Sequence, residues 1–110
     1  MNRLHLFNEA LSLEILPAVG GKIASLFDKA NGQEWLWTNP WLSLRDPAYG
    51  ESYVGALDFG GWDEIFPSVD PCRIPTPDGE ALVHDHGDLV QMPWRVISSR
   101  AEHVEMEVEG

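Results

Sequence analysis

The sequence is poor in bases and nearly free of cysteine: seven Lys and Arg stand against 18 Asp and Glu, a formal net charge of −11, and Cys72 is the single cysteine. One thiol cannot close an internal disulfide, which excludes the disulfide-stapled scaffold of small secreted domains. The acidic excess repels polyanions, so nucleic acid and an anionic membrane surface are excluded as partners, whereas a neutral or cationic ligand fits. Long apolar runs are missing too. No stretch approaches the roughly 20 apolar residues that span a bilayer. In the opening segment "MNRLHLFNEALSLEILP", Asn8 and Glu9 break the apolar run, which predicts no signal peptide and a cytoplasmic protein. Internal repeats, low-complexity segments and a sustained helical period are likewise absent.

What is present points to strands. An apolar fraction of 44% excludes wholesale disorder, and 110 residues make one domain rather than two. A chain of this size shields only about two-thirds of its unfolded surface. In "LSLEIL", Leu11, Leu13 and Ile15 alternate with Ser12 and Glu14, the period of a half-buried strand, which Pro17 ends. "GGKIASLFDKANGQEWLW" gives a second strand, with Ile23, Ser25 and Phe27 on one face and Ala24 and Leu26 on the other. A tight turn is expected at Asn31-Gly32, with a return over Glu34 to Trp37. Alternation resumes in "WRVISS" and in "HVEMEVE", where Val104, Met106 and Val108 oppose Glu105, Glu107 and Glu109. That last strand has nothing after it to pair with, which reads either as an edge blunted by glutamates or as the front portion of a longer protein.

Between Thr38 and Pro93 no period survives. Six of the eight prolines fall between Pro47 and Pro93, with several glycines and with Tyr49, Tyr53, Phe59, Trp62 and Phe66. A loop-rich stretch of this length carrying aromatics is expected to be functional rather than disordered. The expected fold class is all-β and antiparallel, sandwich-like with long connections.

Two segments inside this stretch carry the side chains for chemistry. "HDHGD" places His84 and His86 two apart, so that on an extended segment both imidazoles would face one side. That is the minimal geometry of a metal site on a cupin-like β-barrel. Such a site needs a carboxylate soon after and a third histidine, yet Val90 and Gln91 occupy the former place. The bland alternative is a turn whose histidines contact backbone, with Gly87 permitting the bend. Earlier stands "DFGGWDEIFPSVDP", where Trp62 is followed at once by Asp63 and Glu64. An aromatic plate beside carboxylates suits a sugar, whose C–H face stacks on the ring while its hydroxyls donate to the acids; the plain alternative is a core tryptophan beside a solvated turn.

The order "LEILPAVGGKIASLFDKANGQEWLW", then "GGWDEIFPSV", then "HDHGDLVQMPW" resembles the N-terminal part of the aldose 1-epimerase (galactose mutarotase-like) family over most of residues 11 to 96. The resemblance implies a galactose mutarotase-like antiparallel β-sandwich (a supersandwich) of which residues 1–110 are the N-terminal part. It also implies interconversion of hexose anomers through the open-chain aldehyde, with a glutamate taking the anomeric proton, a histidine protonating the ring oxygen, and neither metal nor cofactor. Carried over by position, His86 is the family's first histidine, close to the sugar's ring oxygen. Trp62, Asp63 and Glu64 fall in the loop lining the sugar, and His84 and Asp85 support from behind at most.

The departures from that pattern are specific. The family's arginine ahead of the "HG" block has no counterpart in "VGALDFGGWDE", and Arg73 arrives only after the "FPSVDP" turn. The second histidine and the glutamate lie further downstream in the family. No residue after 96 fits either role, His103 sitting on an alternating strand. The chain is therefore expected to carry part of a hexose-binding site and no catalytic residue, to be inactive by itself, and to function as isomerase or non-catalytic sugar-binding module only as part of the whole.

Overall fold

The computed structural model describes residues 2–109 and is all-β, with antiparallel sheets. β1 (Leu4–Phe7), β2 (Leu11–Leu16), β3 (Lys22–Asp28) and β4 (Gln33–Glu34) form a four-stranded meander in that order. β5 (Cys72–Thr76) pairs with β6 (Gly79–Val83), and β7 (Arg95–Arg100) with β8 (His103–Glu107), each as a separate ribbon.

β2 and β3 follow the alternation of their sequence until a bulge. The pairs Leu13↔Leu26 and Glu14↔Ser25 are followed by Ile15↔Ile23, with Ala24 as the extra residue. Since a one-residue slip reverses a side chain's face, Ile23 joins Leu13 and Leu26 instead of Ser25 and Phe27, contrary to the simple alternation. The expected turn after β3 is in place but wider. The Asp28 carboxylate accepts from the amides of Ala30 (3.1 Å) and Asn31 (3.3 Å), and of the expected dipeptide only Gly32 takes a positive φ, 62°. The return strand ends at Glu34 instead of reaching Trp37.

β1 and the β5–β6 ribbon differ from the sequence reading. β1 forms where no strand is expected, its Leu4 and Leu6 paired with Ile15 and Leu13. β5–β6 lies inside the stretch read as loop, joined at Pro77-Asp78 and almost wholly exposed. β8 pairs back onto the preceding β7, which leaves it at the edge of a two-stranded ribbon, as one of the two readings of this strand has it.

The core is small. Leu16, Val19, Leu57 and Phe59 are buried together, with Ala24, Leu42, Leu44, Tyr53 and Ala56 packed around them. It sits where β2 turns into β3 and meets a single wide π-type turn, Tyr53–Leu57. Large apolar side chains remain outside, among them Trp35, Trp37 and Trp41, the last 81% exposed. The radius of gyration, 15.4 Å, exceeds the about 13 Å of a compact chain of this length. Among the described residues no helix is long and apolar enough to cross a membrane.

One loop has an acid-sensitive clasp. Arg45 donates to Glu51 (2.7 Å), whose carboxylate also accepts from the Ala48 amide (2.6 Å), and the guanidinium holds the Glu51 carboxyl down to about 2 from an ordinary 4.5. A depressed acid stabilises the fold above its unfolded value and stops doing so as pH falls through its folded one. The clasp is thus expected to open between about pH 4.5 and 2. Protection of the Ala48 amide against hydrogen exchange, taken relative to its intrinsic rate at each pH, should fall across that window in the native protein, and E51Q should show little protection throughout. Protection that stays constant from about pH 4.5 to 2 in the native protein would refute the clasp.

Candidate functional site

The three sequence blocks, far apart along the chain, meet at the start of β3. After β2 the chain turns through Pro17–Gly21. The Gly20 amide donates to the Met92 carbonyl (3.0 Å), the Trp94 amide donates to the Pro17 carbonyl (2.7 Å), and the Trp94 indole lies against Gly21. This joins the first block to the third. The second joins the first through Ile23 and Trp62, whose amides and carbonyls exchange two bonds of 2.8 and 2.9 Å. The second and third meet at a bridge between Phe66 and Gly87, where the Asp88 amide donates to the Phe66 carbonyl at 3.1 Å. At Gly87, with φ 76°, a Cβ would stand 2.0 Å from the Phe66 carbonyl oxygen, so only glycine lets the two backbones come together.

The side chains carried by these blocks form one connected array. Lys22, 3% exposed, pairs at 2.9 Å with Asp63, 6% exposed, and also donates to the Gly60 carbonyl. Asp63 accepts from the Tyr53 hydroxyl as well, so both its oxygens are engaged inside the protein. The ring of Tyr53 stacks on the imidazole of His86, with centroids 3.9 Å apart and planes 12° from parallel. His86 Nδ1 lies 2.8 Å from Asp85 Oδ1, while Asp85 Oδ2 accepts from the Tyr53 amide at 3.2 Å. Burial, and then the neighbouring Asp63 that accepts its proton, push the Tyr53 phenol well above the usual tyrosine range. The bond from His86 holds the Asp85 carboxyl below the usual aspartate range.

This array determines which histidine atom is left for chemistry. With Nδ1–H donating to Asp85, His86 has Nε2 remaining, an acceptor in the neutral ring and a donor when both nitrogens carry protons. His86 also takes φ 62°, which is uncommon for a residue with a side chain and is the kind of backbone a surrounding structure must impose. Asp85 and His86 lie in a turn, not on an extended segment. The expectation that His84 and His86 face one side fails for that reason: alternation requires extended backbone. His84 instead meets Tyr49 edge-on, with centroids 4.9 Å apart. Among the described residues no three His, Cys, Asp or Glu side chains are grouped so as to hold a metal ion, so the cupin-like arrangement has no ligand set here.

The other sequence candidates fall around this array. Trp62 is 55% exposed, and Glu64 beside it is exposed. Asp63, between them, points inward to Lys22 and Tyr53. Arg73 lies on β5, 3.6 Å from Glu80 and largely in solvent, and His103 is exposed at the start of β8. A cavity of about 310 Å³ lies beyond Lys22, floored by Leu16, Ala24 and Phe59; neither His86 nor Trp62 lines it. Lys22 and Tyr53 were not legible as site residues. They sit 41 and 10 positions from Asp63, and no spacing rule links them; the available signal was a lone lysine within an otherwise apolar strand start.

No family model matches the chain, and no curated protein matches it. Among solved structures the fold is similar to that of the Slr1438 protein from Synechocystis sp. PCC 6803, with a TM-score of 0.62 and 20% sequence identity. That similarity covers 92% of this chain and 33% of the other, so the chain spans about a third of the length of that neighbour. Identity this low speaks for the fold alone.

Proposed function

We propose that residues 1–110 are the N-terminal part of a galactose mutarotase-like β-sandwich domain of the aldose 1-epimerase type, and that they contribute His86, Trp62 and Glu64 to a hexose site. The observation that carries this reading is the meeting of three distant sequence blocks at the start of β3, in an array that leaves Nε2 of His86 without a hydrogen-bond partner among the described residues. Trp62 offers an exposed indole for the C–H face of a pyranose, and the Glu64 carboxylate beside it can accept from sugar hydroxyls. Asp63 supports them from within instead of touching the sugar. The exposed tryptophans, the extended shape and the partial coverage of the structural neighbour support a sandwich whose remaining strands lie outside these residues.

In the full-length, cytoplasmic protein, His86 polarises the ring oxygen of the hexose and stabilises the charge that develops there. A downstream histidine and glutamate exchange the protons that open and close the ring. No metal or cofactor enters this chemistry.

The test is an anomer-interconversion assay on the full-length gene product, by polarimetry with glucose and galactose, together with hexose-dependent quenching of tryptophan fluorescence. Acceleration over the uncatalysed rate is expected, and in H86A the quenching should need a much higher hexose concentration. Quenching without acceleration would make the protein a sugar binder. Quenching unchanged in H86A would remove His86 from the site and end this reading.

A further inference from the structure

We infer that Tyr53 is a positioning residue for His86: its ring sets the plane of the imidazole, and the buried Lys22–Asp63 pair holds that ring in place from the far side through its hydroxyl. The geometry is a continuous chain. The Lys22–Asp63 pair (2.9 Å) is nearly sealed from water, Asp63 accepts the Tyr53 hydroxyl proton, and the phenol ring lies 3.9 Å from and 12° to the imidazole. A hydrogen bond from the para hydroxyl to a charged group, one of the stronger kinds, fixes the ring's long axis against sliding and tilting, and the imidazole stacked on its face and the Asp85 bond to the Tyr53 amide oppose its turning about that axis.

Asp85 closes the frame. It binds His86 Nδ1 with one oxygen and the Tyr53 amide with the other, so plate and imidazole move as one body. Stacking constrains the tilt of the imidazole and the Asp85 bond constrains its rotation in plane. Together they aim Nε2. Asp63, which the sequence pattern places among the sugar ligands, thus acts on the ligand only through Tyr53 and His86. The ligand half of this inference rests on the hexose reading above; the orientation half does not.

The experiment uses the full-length protein and two variants. Y53F keeps the stacked ring and removes its anchor, and Y53L removes the ring. In the free native protein the His86 Hε1 proton resonance is expected to be shifted upfield by the facing phenol; Y53L should abolish the shift and Y53F should reduce it. An Hε1 resonance unaffected by Y53L would overturn the inference whether or not the protein binds sugar. In hexose binding followed by fluorescence, Y53F should weaken affinity by up to roughly 10-fold, the size of one hydrogen bond to the ligand lost. The same change in an H86A background should have no further effect. Equal losses in both backgrounds would show that Tyr53 acts independently of His86 and would overturn it too. Absence of hexose binding in the native protein would defeat the proposed function alone, with the resonance arm still deciding the role of Tyr53.

Discussion

Replacing Lys22 with Met is expected to lower folding stability by about 3–5 kcal/mol, the range for breaking a buried ion pair by removing one partner. The side chains of Lys22 and Asp63 are 3% and 6% exposed, and methionine preserves the apolar stem, so the loss reports the charge and not the packing. What remains in K22M is a carboxylate in a nearly dry site, with one tyrosine hydroxyl to compensate it. Against a total stability of about 5–15 kcal/mol for a domain, such a loss is severe. The sign of the double variant is the sharper check. K22M combined with D63L leaves no unpaired charge and is expected to unfold at a higher urea concentration than K22M alone. A K22M variant within about 1 kcal/mol of the native protein would mean that the pair is solvated and that its hold on Tyr53 is weak.

G87A should be comparably damaging for a different reason. A non-glycine residue at φ 76° carries strain of about 1–3 kcal/mol. The added Cβ also falls 2.0 Å from the Phe66 carbonyl oxygen and 2.5 Å from its carbon. Both are backbone atoms, which cannot swing aside as a side-chain tip could, so the bridge between the second and third blocks must open. G32A provides the control: its φ is 62°, but a Cβ there meets nothing within 4 Å. It should lose only the conformational part, about 1 kcal/mol. The difference between the two urea midpoints isolates the cost of the close approach. G87A should also lose hexose-dependent quenching, because Gly87 adjoins His86. Equal effects of G87A and G32A would show that the two backbones separate freely.

How much of this was legible can be argued residue by residue. β7 and β8 announce themselves because half-buried and exposed residues alternate along them, which writes period two into the sequence, and β2 and β3 carry that period in residue type although β2 ends on the consecutive buried Ile15 and Leu16. β5 and β6 have no such asymmetry, being exposed on nearly every residue; only the Pro77-Asp78-Gly79 turn chemistry marked the hairpin. β1 is short, and Asn8 and Glu9 close behind it obscure its four residues. The shift of Ile23 to the other face came from a bulge, which composition does not reveal.

The candidate site divides in the same way. That "GGWDEIFPSV" and "HDHGDLVQMPW" belong to one functional region could be argued from residue types and their order, because aromatic plates, carboxylates and a glycine-flanked histidine have few shared uses. Which of those side chains turn outward could not. Asp63 and Glu64 are neighbours of the same charge, and their opposite fates depend on where Lys22 and Tyr53 arrive from other parts of the chain. The sequence alone determined the all-β class, the acidic surface and the residues from which a site is built. Tertiary structure alone decided that Asp63 lies inward, that His84 and His86 meet different tyrosines, and that a phenol ring stacks on His86. Local alternation reflects one strand and its nearest neighbours, whereas the partner of a buried charge is set by whichever segments long-range packing brings against it.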